Sequence, residues 1–305
     1  MVDLNIRERI ANNQRSKLVE KTVPIVLFSI TIISVLTTIG ILYTLIVETV
    51  HFFGRVSIVE FLTSTKWNAF SSTPSWGIFP LILGTLKIVV IGAIVAVPTG
   101  IGAAIYLSEY ASDRTRRIIK PILEVLAGIP TVVYGAFAIT FVTPFLQSFI
   151  PPLNHFNALS PGIVVGIMIL PMIASLTEDA LSSVPNSMRE GSLGMGATKF
   201  ETVSKVVLPA AISGVGAAVV LGLSRAIGET MIVSIAAGST PNSSFNIFES
   251  LQTMTGFIVQ VTSGDAAFGT DVYYSLYAVG MTLFIFTLAM NMISQWITKR
   301  FREEY

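Results

Sequence analysis

The stretch from Ala210 to Ile235 is almost wholly apolar, yet it holds two opposite charges, Arg225 and Glu229. A helix of ~20 apolar residues, rising about 1.5 Å per residue, crosses the ~30 Å hydrocarbon core of a bilayer. Taken as one helix over 210–237, the stretch has its middle near Ser224 and sets Arg225 at the midplane. A charge there costs at least ~2.5–3.5 kcal/mol. A soluble fold is excluded by the run, and a purely structural one is made expensive by the arginine.

The rest of the chain agrees. Of 305 residues, 52% are hydrophobic and 12% charged, against about 25% charged in soluble domains. This describes an all-α integral membrane protein. The chain has no cysteine, which excludes disulfides, thiolate catalysis and thiolate-held metals. The two histidines, His51 and His155, lie far apart in expected loops, so no metal site is expected. No basic stripe exists outside the loops between apolar runs, and no nucleic-acid partner is expected. The first apolar run, Val23–Val47, is too long for the core of a cleavable signal and reads as an uncleaved first span.

Six spans are expected, at about 23–47, 78–107, 118–144, 161–176, 210–237 and 272–297. Pro80, Pro98, Pro121, Pro130 and Pro171 fall inside them, as does Gly162-x-x-x-Gly166. Such residues are tolerated where neighbouring helices satisfy the freed backbone groups and small residues let helices approach. They mark spans two to five as the packed core and leave the first span peripheral.

Orientation follows from the basic residues. Residues 1–22 hold Arg7, Arg9, Arg15, Lys17 and Lys21. The loop after span two holds Arg114, Arg116, Arg117 and Lys120. The loop 177–208 holds Arg189, Lys199 and Lys205, and residues 298–305 hold Lys299, Arg300 and Arg302. The other side has only Arg55 and Lys66. Both termini are thus expected in the cytoplasm. On the outer side, 48–77 carries Trp67 and Trp76 and suits a short interfacial segment. The long loop 238–271 has acids but no Lys or Arg, and its Phe245–Val261 part is apolar at helical spacing. A loop of that length is expected to work, by folding toward the membrane or docking a partner.

Loop 177–208 has its own internal logic. Glu178 and Asp179 suit the opening of a first short helix, and Pro185 suits a first helical turn. Gly194 and Gly196 should stop the helix and turn the chain, and a second helix, 199–207, should return it to Pro209. The result is a compact knob whose Met188, Leu193 and Met195 stay exposed unless a partner covers them. The bland alternative is an ordinary loop lying on the helix ends.

Within this loop, Glu190-Gly191-Ser192, then Gly196, Val206 and Leu208-Pro209, resemble the EAA loop of ABC importer permeases, with Gly-Ser in place of the usual two alanines. The likeness extends to Gly84-Thr85-Leu86, Ala96-Val97-Pro98-x-Gly-x-Gly, Leu107-Ser108-Glu109-Tyr110, Glu124 through Pro130 to Tyr134-Gly135, and Arg225-Ala226-x-Gly228-Glu229-Thr230-Met231. These are similar to the phosphate permeases, and in order and loop lengths to the PstC branch rather than PstA. The resemblance implies a MetI-like, type I permease core over 78–297 with an extra N-terminal span, in a prokaryotic inner or plasma membrane. It implies a coupling loop (Met188, Glu190, Gly191, Ser192, Leu193, Gly196) that docks on an ATPase. The implied partners are a PstA-like permease in a heterodimer, two PstB-like ATPase subunits that bind ATP and magnesium, and a PstS-like external binding protein. This chain itself would hold no cofactor.

The same resemblance places Arg225 and Glu229 on the substrate path, and Thr230, the next residue of that motif, is a further candidate for it. On one helix, Arg225 and Glu229 would share a face. The bland reading is a buried ion pair serving packing. The functional one is a guanidinium fork meeting two phosphate oxygens, with Glu229 holding it and keeping the site weak enough to release. Lys87 suits an outer vestibule or a snorkelling stem. Glu124 is expected to cap its helix or pair with Arg116, Arg117 or Lys120. With Pro130 and Tyr134 it forms a set of gate or packing residues.

Two other functional classes fit the sequence less well. An intramembrane enzyme needs a nucleophile–base pair or a metal cluster in the spans, and neither a cysteine nor a span histidine exists. An ion-coupled carrier usually shows internal repeats and several intramembrane acids, whereas Glu229 stands almost alone. No phosphate-binding Gly-x-x-x-x-Gly-Lys motif is present, so ATP hydrolysis would belong to separate subunits. Phosphonate, sulfate and molybdate remain alternative oxyanions.

Overall fold

A computed structural model describes residues 14–300, and most of them are helical. Of the expected tails, 1–13 and 301–305 lie outside the described residues, while 14–22 and 298–300 continue the first and last helices. Four helices are long and apolar enough to cross a membrane singly, and two bent pairs bring the number to six.

α1 (Gln14–Phe53) is the first of these. It packs along α14 (Asp271–Arg300), and its apolar span has no buried residue. A polar loop would have ended it near Val47, but the helix runs on so that Phe52 can enter an aromatic cluster. That cluster gathers Phe52, Phe53, Phe61, Trp67, Trp76 and Phe257, mostly edge to face. Between α1 and the next span lie α2 (Ile58–Thr63) and a two-stranded hairpin, β1 (Trp67–Asn68) and β2 (Ser75–Trp76), with Trp67 opposite Trp76. Both tryptophans are buried. The expected interfacial segment packs into a small aromatic core whose rings meet edge to face, the arrangement aromatic pairs prefer.

α3 (Phe79–Ile105) continues through a π turn, Tyr106–Tyr110. It forms the centre of the molecule with α7 (Leu159–Ser182) and α11 (Ile212–Ile227). Gly162 and Gly166 lie in the α3–α7 crossing. A Cβ at Gly166 would stand 2.9 Å from both the Gly92 oxygen and the Val95 side chain, so the two backbones touch where small residues permit it.

The expected span 118–144 is not straight. α4 (Asp113–Gly128) has no buried residue, and an 88° bend separates it from the segment Thr131–Gln147, which contains α5 (Thr131–Phe137) and α6 (Thr143–Gln147). The bend falls at Ile129, whose backbone is extended because a residue before proline avoids the helical region. The expected span 161–176 is also too short. α7 runs to Ser182, so Glu178 and Asp179 end this helix instead of opening the next. The span 210–237 is broken at Gly228, and α12 (Met231–Ala236) follows the gap.

The knob forms as expected. α8 (Asn186–Gly194) follows Pro185, and Gly196 turns the chain at φ +90°, a conformation glycine adopts without steric cost. α9 (Lys199–Thr202) starts on a reciprocal cap between Thr198 and Glu201. A π turn, Val203–Val207, and α10 (Leu208–Ala210) then lead back to α11.

At the opposite end, Gly238 to Thr270 folds inward rather than lying free. α13 (Met254–Gln260) buries Met254 and Phe257, and the amide of Met254 donates to Thr85 Oγ1 at 3.1 Å. A Cβ at Gly84 would overlap the Gln252 carbonyl. Only the later part of the expected apolar segment is helical: Phe245 to Ser250 is irregular.

Candidate functional site

The break in the fifth span places the two charges that most distinguish this sequence. α11 ends at Ile227, ~20 Å along the helix from Ile212 at about 1.5 Å per residue, and Arg225 sits in its last turn. Gly228 caps the helix, and Glu229 lies beyond it. The two side chains therefore do not share a helix face, and among the described residues no ion pair joins them. The expected Arg225–Glu229 pair is corrected by this geometry.

Glu229 is buried and turned the other way. Its Oε1 accepts the amides of Met231 at 3.0 Å and Ile232 at 3.2 Å. These are donors a helix start would otherwise leave orphaned. Its own carbonyl accepts from Thr255 Oγ1 at 2.7 Å, which ties the break to the inward-folded loop. Thr230 donates its hydroxyl to the Gly228 oxygen at 3.0 Å, and its own carbonyl accepts from Ser234. Both residues shape the break.

Arg225 instead lines an open groove of about 390 Å³. α4 contributes Lys120, Leu123 and Glu124 to it, and α7 contributes Pro171, Ser175 and Glu178. Glu124 thus reaches the site of Arg225. It does not take the cations expected for it. Two of those belong to Glu178, which is almost fully buried: Arg116 Nε donates to its Oε1 at 2.7 Å, and Lys120 Nζ lies 2.9 Å from Oε2. A buried carboxylate needs such partners, and this need holds the surface-lying α4 against α7. Tyr134, on α5, lies within electrostatic reach of Arg225 and donates its hydroxyl to the Leu126 carbonyl at 2.9 Å across the bend. Pro130 is the residue that caps α5 at that bend.

Lys87 is not part of this groove. Its ammonium donates to the carbonyls of Ser244 and, at 3.3 Å, Asn246 in the far loop, and is 8% exposed. Beside it, Glu249 accepts from Asn242 Nδ2 at 2.8 Å and Asn246 Nδ2 at 2.9 Å. Those two amides, aided by the Lys87 charge, hold the Glu249 carboxyl below the usual carboxylate range.

The knob presents Glu190, Gly191, Leu193 and Gly196 outward, with Met188 half-buried and Ser192 buried. Ser192 and Thr202 share a hydroxyl hydrogen bond of 2.9 Å that pins the two knob helices together. Met195 is 86% exposed and Phe200 72%, so the knob carries an apolar crown at its tip. The spacing of Arg189 and Glu109 offered no hint that the two meet, yet they form the ion pair anchoring the knob at 2.8 Å.

Comparison with known proteins agrees with this architecture. Residues 96–303 match the family described as binding-protein-dependent transport system inner membrane component. The chain is 33% identical over 304 residues to the probable ABC transporter permease protein YqgH of Bacillus subtilis, covering 98% of this chain and 97% of that one. It is 34% identical over 260 residues to the phosphate transport system permease protein PstC of Mesorhizobium japonicum (79% and 78% covered). It is 30% identical over 308 residues to a probable PstC of Methanocaldococcus jannaschii (90% and 94%). Among solved structures, the MetNI methionine ABC transporter in an inward-facing conformation matches with a TM-score of 0.53 at 20% identity, covering 73% of this chain and 94% of that one.

Proposed function

The chain belongs to the family of binding-protein-dependent transport system inner membrane components, and from that premise we propose that it is the PstC-like half of an ATP-driven phosphate importer. It is a multi-pass ABC transporter permease and not an enzyme. Permeases of this kind work with separate ATPase and substrate-binding proteins. Here the partners are a PstA-like second permease, two PstB-like ATPases that bind ATP and magnesium, and a PstS-like external phosphate-binding protein. Both termini lie in the cytoplasm, on the side of the basic loops.

The observation that carries the proposal is Arg225, a cation without an ion-pair partner among the described residues, facing an open groove in the last turn of a broken span. A guanidinium offers five N–H donors in a planar fork, suited to two oxygens of one phosphate. An uncompensated cation would trap the anion, and conduction needs a site weak enough to leave. Glu124, in the same groove, supplies that counter-charge, while Glu229 holds the break that aims Arg225. Lys87 stands at the outer end of the route, fastening the far loop to α3, and Thr230 lines the break between the two ends. Pro130 and Tyr134 form the bend past which the anion leaves. The knob with Glu190 at its surface receives the ATPase stroke.

The test is accumulation of labelled phosphate by cells that lack their own phosphate importers and express this chain with its partner subunits. Excess unlabelled phosphate should suppress accumulation, and equal sulfate, molybdate or methylphosphonate should not. Absent accumulation, or suppression by sulfate as strong as by phosphate, overturns the substrate assignment.

A further inference from the structure

The knob's attachment to the spans is built from few groups. Arg189, on α8, uses every N–H of its guanidinium. Nε and Nη2 donate to Glu109 Oε1 at 3.1 and 2.8 Å. Nη2 also donates to the Leu181 carbonyl at 2.7 Å, and Nη1 to the Val184 carbonyl at 2.6 Å and Asn186 Oδ1 at 3.3 Å. Leu181 and Val184 lie at the knob end of α7. Glu109 lies in the π turn Tyr106–Tyr110 that closes α3, and its side chain is 8% exposed. One residue along, the Tyr110 ring sits 5.0 Å beneath the ammonium of Lys199, which begins the second knob helix.

Each knob helix thus carries one cation onto the same turn of α3, and one of the two is also locked to the end of α7. α3 and α7 are the central packed pair, and α7 lines the groove of Arg225. A planar fork with all donors engaged has one geometry, so the knob cannot pivot without moving both helix ends.

We propose that the Arg189–Glu109 pair is the transmission link of this permease, passing displacement of the knob to α3 and α7. Both are positioning residues that touch neither nucleotide nor anion. This rests on reading the knob as the ATPase dock, and it is independent of which anion is carried.

The experiment uses the full complex reconstituted in vesicles, with wild type, Arg189→Lys, Glu109→Gln and the double variant R189K/E109Q. Three readouts are taken: ATPase retained on the purified permease, basal ATP hydrolysis, and its stimulation by phosphate-loaded binding protein. Arg189→Lys and Glu109→Gln should keep the ATPase and keep basal hydrolysis within twofold, yet lose stimulation at least fivefold. The double variant should lose no more than the worse single one, because the two groups act as one link. Normal stimulation in both single variants overturns the link, and so does loss of stimulation that only parallels loss of bound ATPase. A double variant that folds and binds ATPase but loses the product of the two single losses overturns it as well. Wild-type complex left unstimulated by phosphate but stimulated by another oxyanion counts against the phosphate reading alone, and the same variants are then scored with that anion.

Discussion

Arg225 and Glu229 stand four residues apart and face different structures. The arginine looks into the groove between α4, α7 and α11, while the glutamate binds the amides of Met231 and Ile232. The helix break at Gly228 separates a group that can meet a solute from a group that keeps the meeting place in shape.

Glu229→Ala and Glu229→Gln should therefore behave differently. Alanine removes two hydrogen bonds to a charged acceptor, each worth on the order of 1.5–3 kcal/mol. Glutamine keeps an acceptor oxygen in the same place and loses only the charge-assisted part. Thermal unfolding in detergent should fall clearly for alanine and by less than half as much for glutamine. Equal losses would mean that the charge, not the cap, is what the fold needs.

The far loop should respond to pH through Glu249. Its carboxyl is held below the usual carboxylate range by Asn242 and Asn246, so the folded state binds that proton less readily than the unfolded one. The stabilisation is complete above the ordinary carboxylate pKa and disappears as pH falls through the lowered folded value. Protection of the amides of residues 242–249, corrected for the intrinsic pH dependence of exchange, should fall as the pH drops below about 4, near the ordinary carboxylate pKa, and Glu249→Gln should abolish that loss of protection. Lys87→Met should loosen the same segment at neutral pH, because the Ser244 and Asn246 carbonyls lose their donor.

Removing both cations from Glu178 should cost more than neutralising the acid. R116A/K120A leaves a buried carboxylate without partners, a change worth about 3–5 kcal/mol, whereas Glu178→Gln leaves no buried charge. Membrane abundance and melting temperature should fall steeply for the double variant and modestly for Glu178→Gln. The reverse order would contradict the clamp between α4 and α7.

Gly166→Leu should disrupt the α3–α7 crossing, since the first added carbon already stands 2.9 Å from the Gly92 oxygen and from Val95. A cost of about 1–3 kcal/mol is expected from overpacking. Gly102→Leu, where a Cβ meets nothing within 4 Å, is the control and should melt like the parent. Equal melting of the two variants would show that the crossing tolerates side chains.

Patterning made some of this legible and tertiary contact hid the rest. Apolar runs disclosed the spans, and Pro185, Gly194 and Gly196 disclosed the knob, because each acts through local backbone chemistry. The break at Gly228 was hidden: a glycine in an apolar run reads as a tolerated packing residue, and the gap is stabilised by the Glu229 carboxylate folding onto the following amides and by the Thr255 hydroxyl brought in from the far loop. Glu178 read as a helix start because its acid is ordinarily costly to bury. Arg116 and Lys120, some sixty residues away, reverse that cost. Glu109 and Arg189, eighty residues apart, carry no local signature at all.

The most direct test of the central claim is initial uptake of labelled phosphate by cells carrying Arg225→Lys at wild-type membrane abundance, with the rest of the importer unchanged. Lysine keeps the positive charge and loses the planar fork, so uptake should fall at least tenfold, which corresponds to about 1.4 kcal/mol. Uptake equal to wild type would show that the anion does not travel past Arg225.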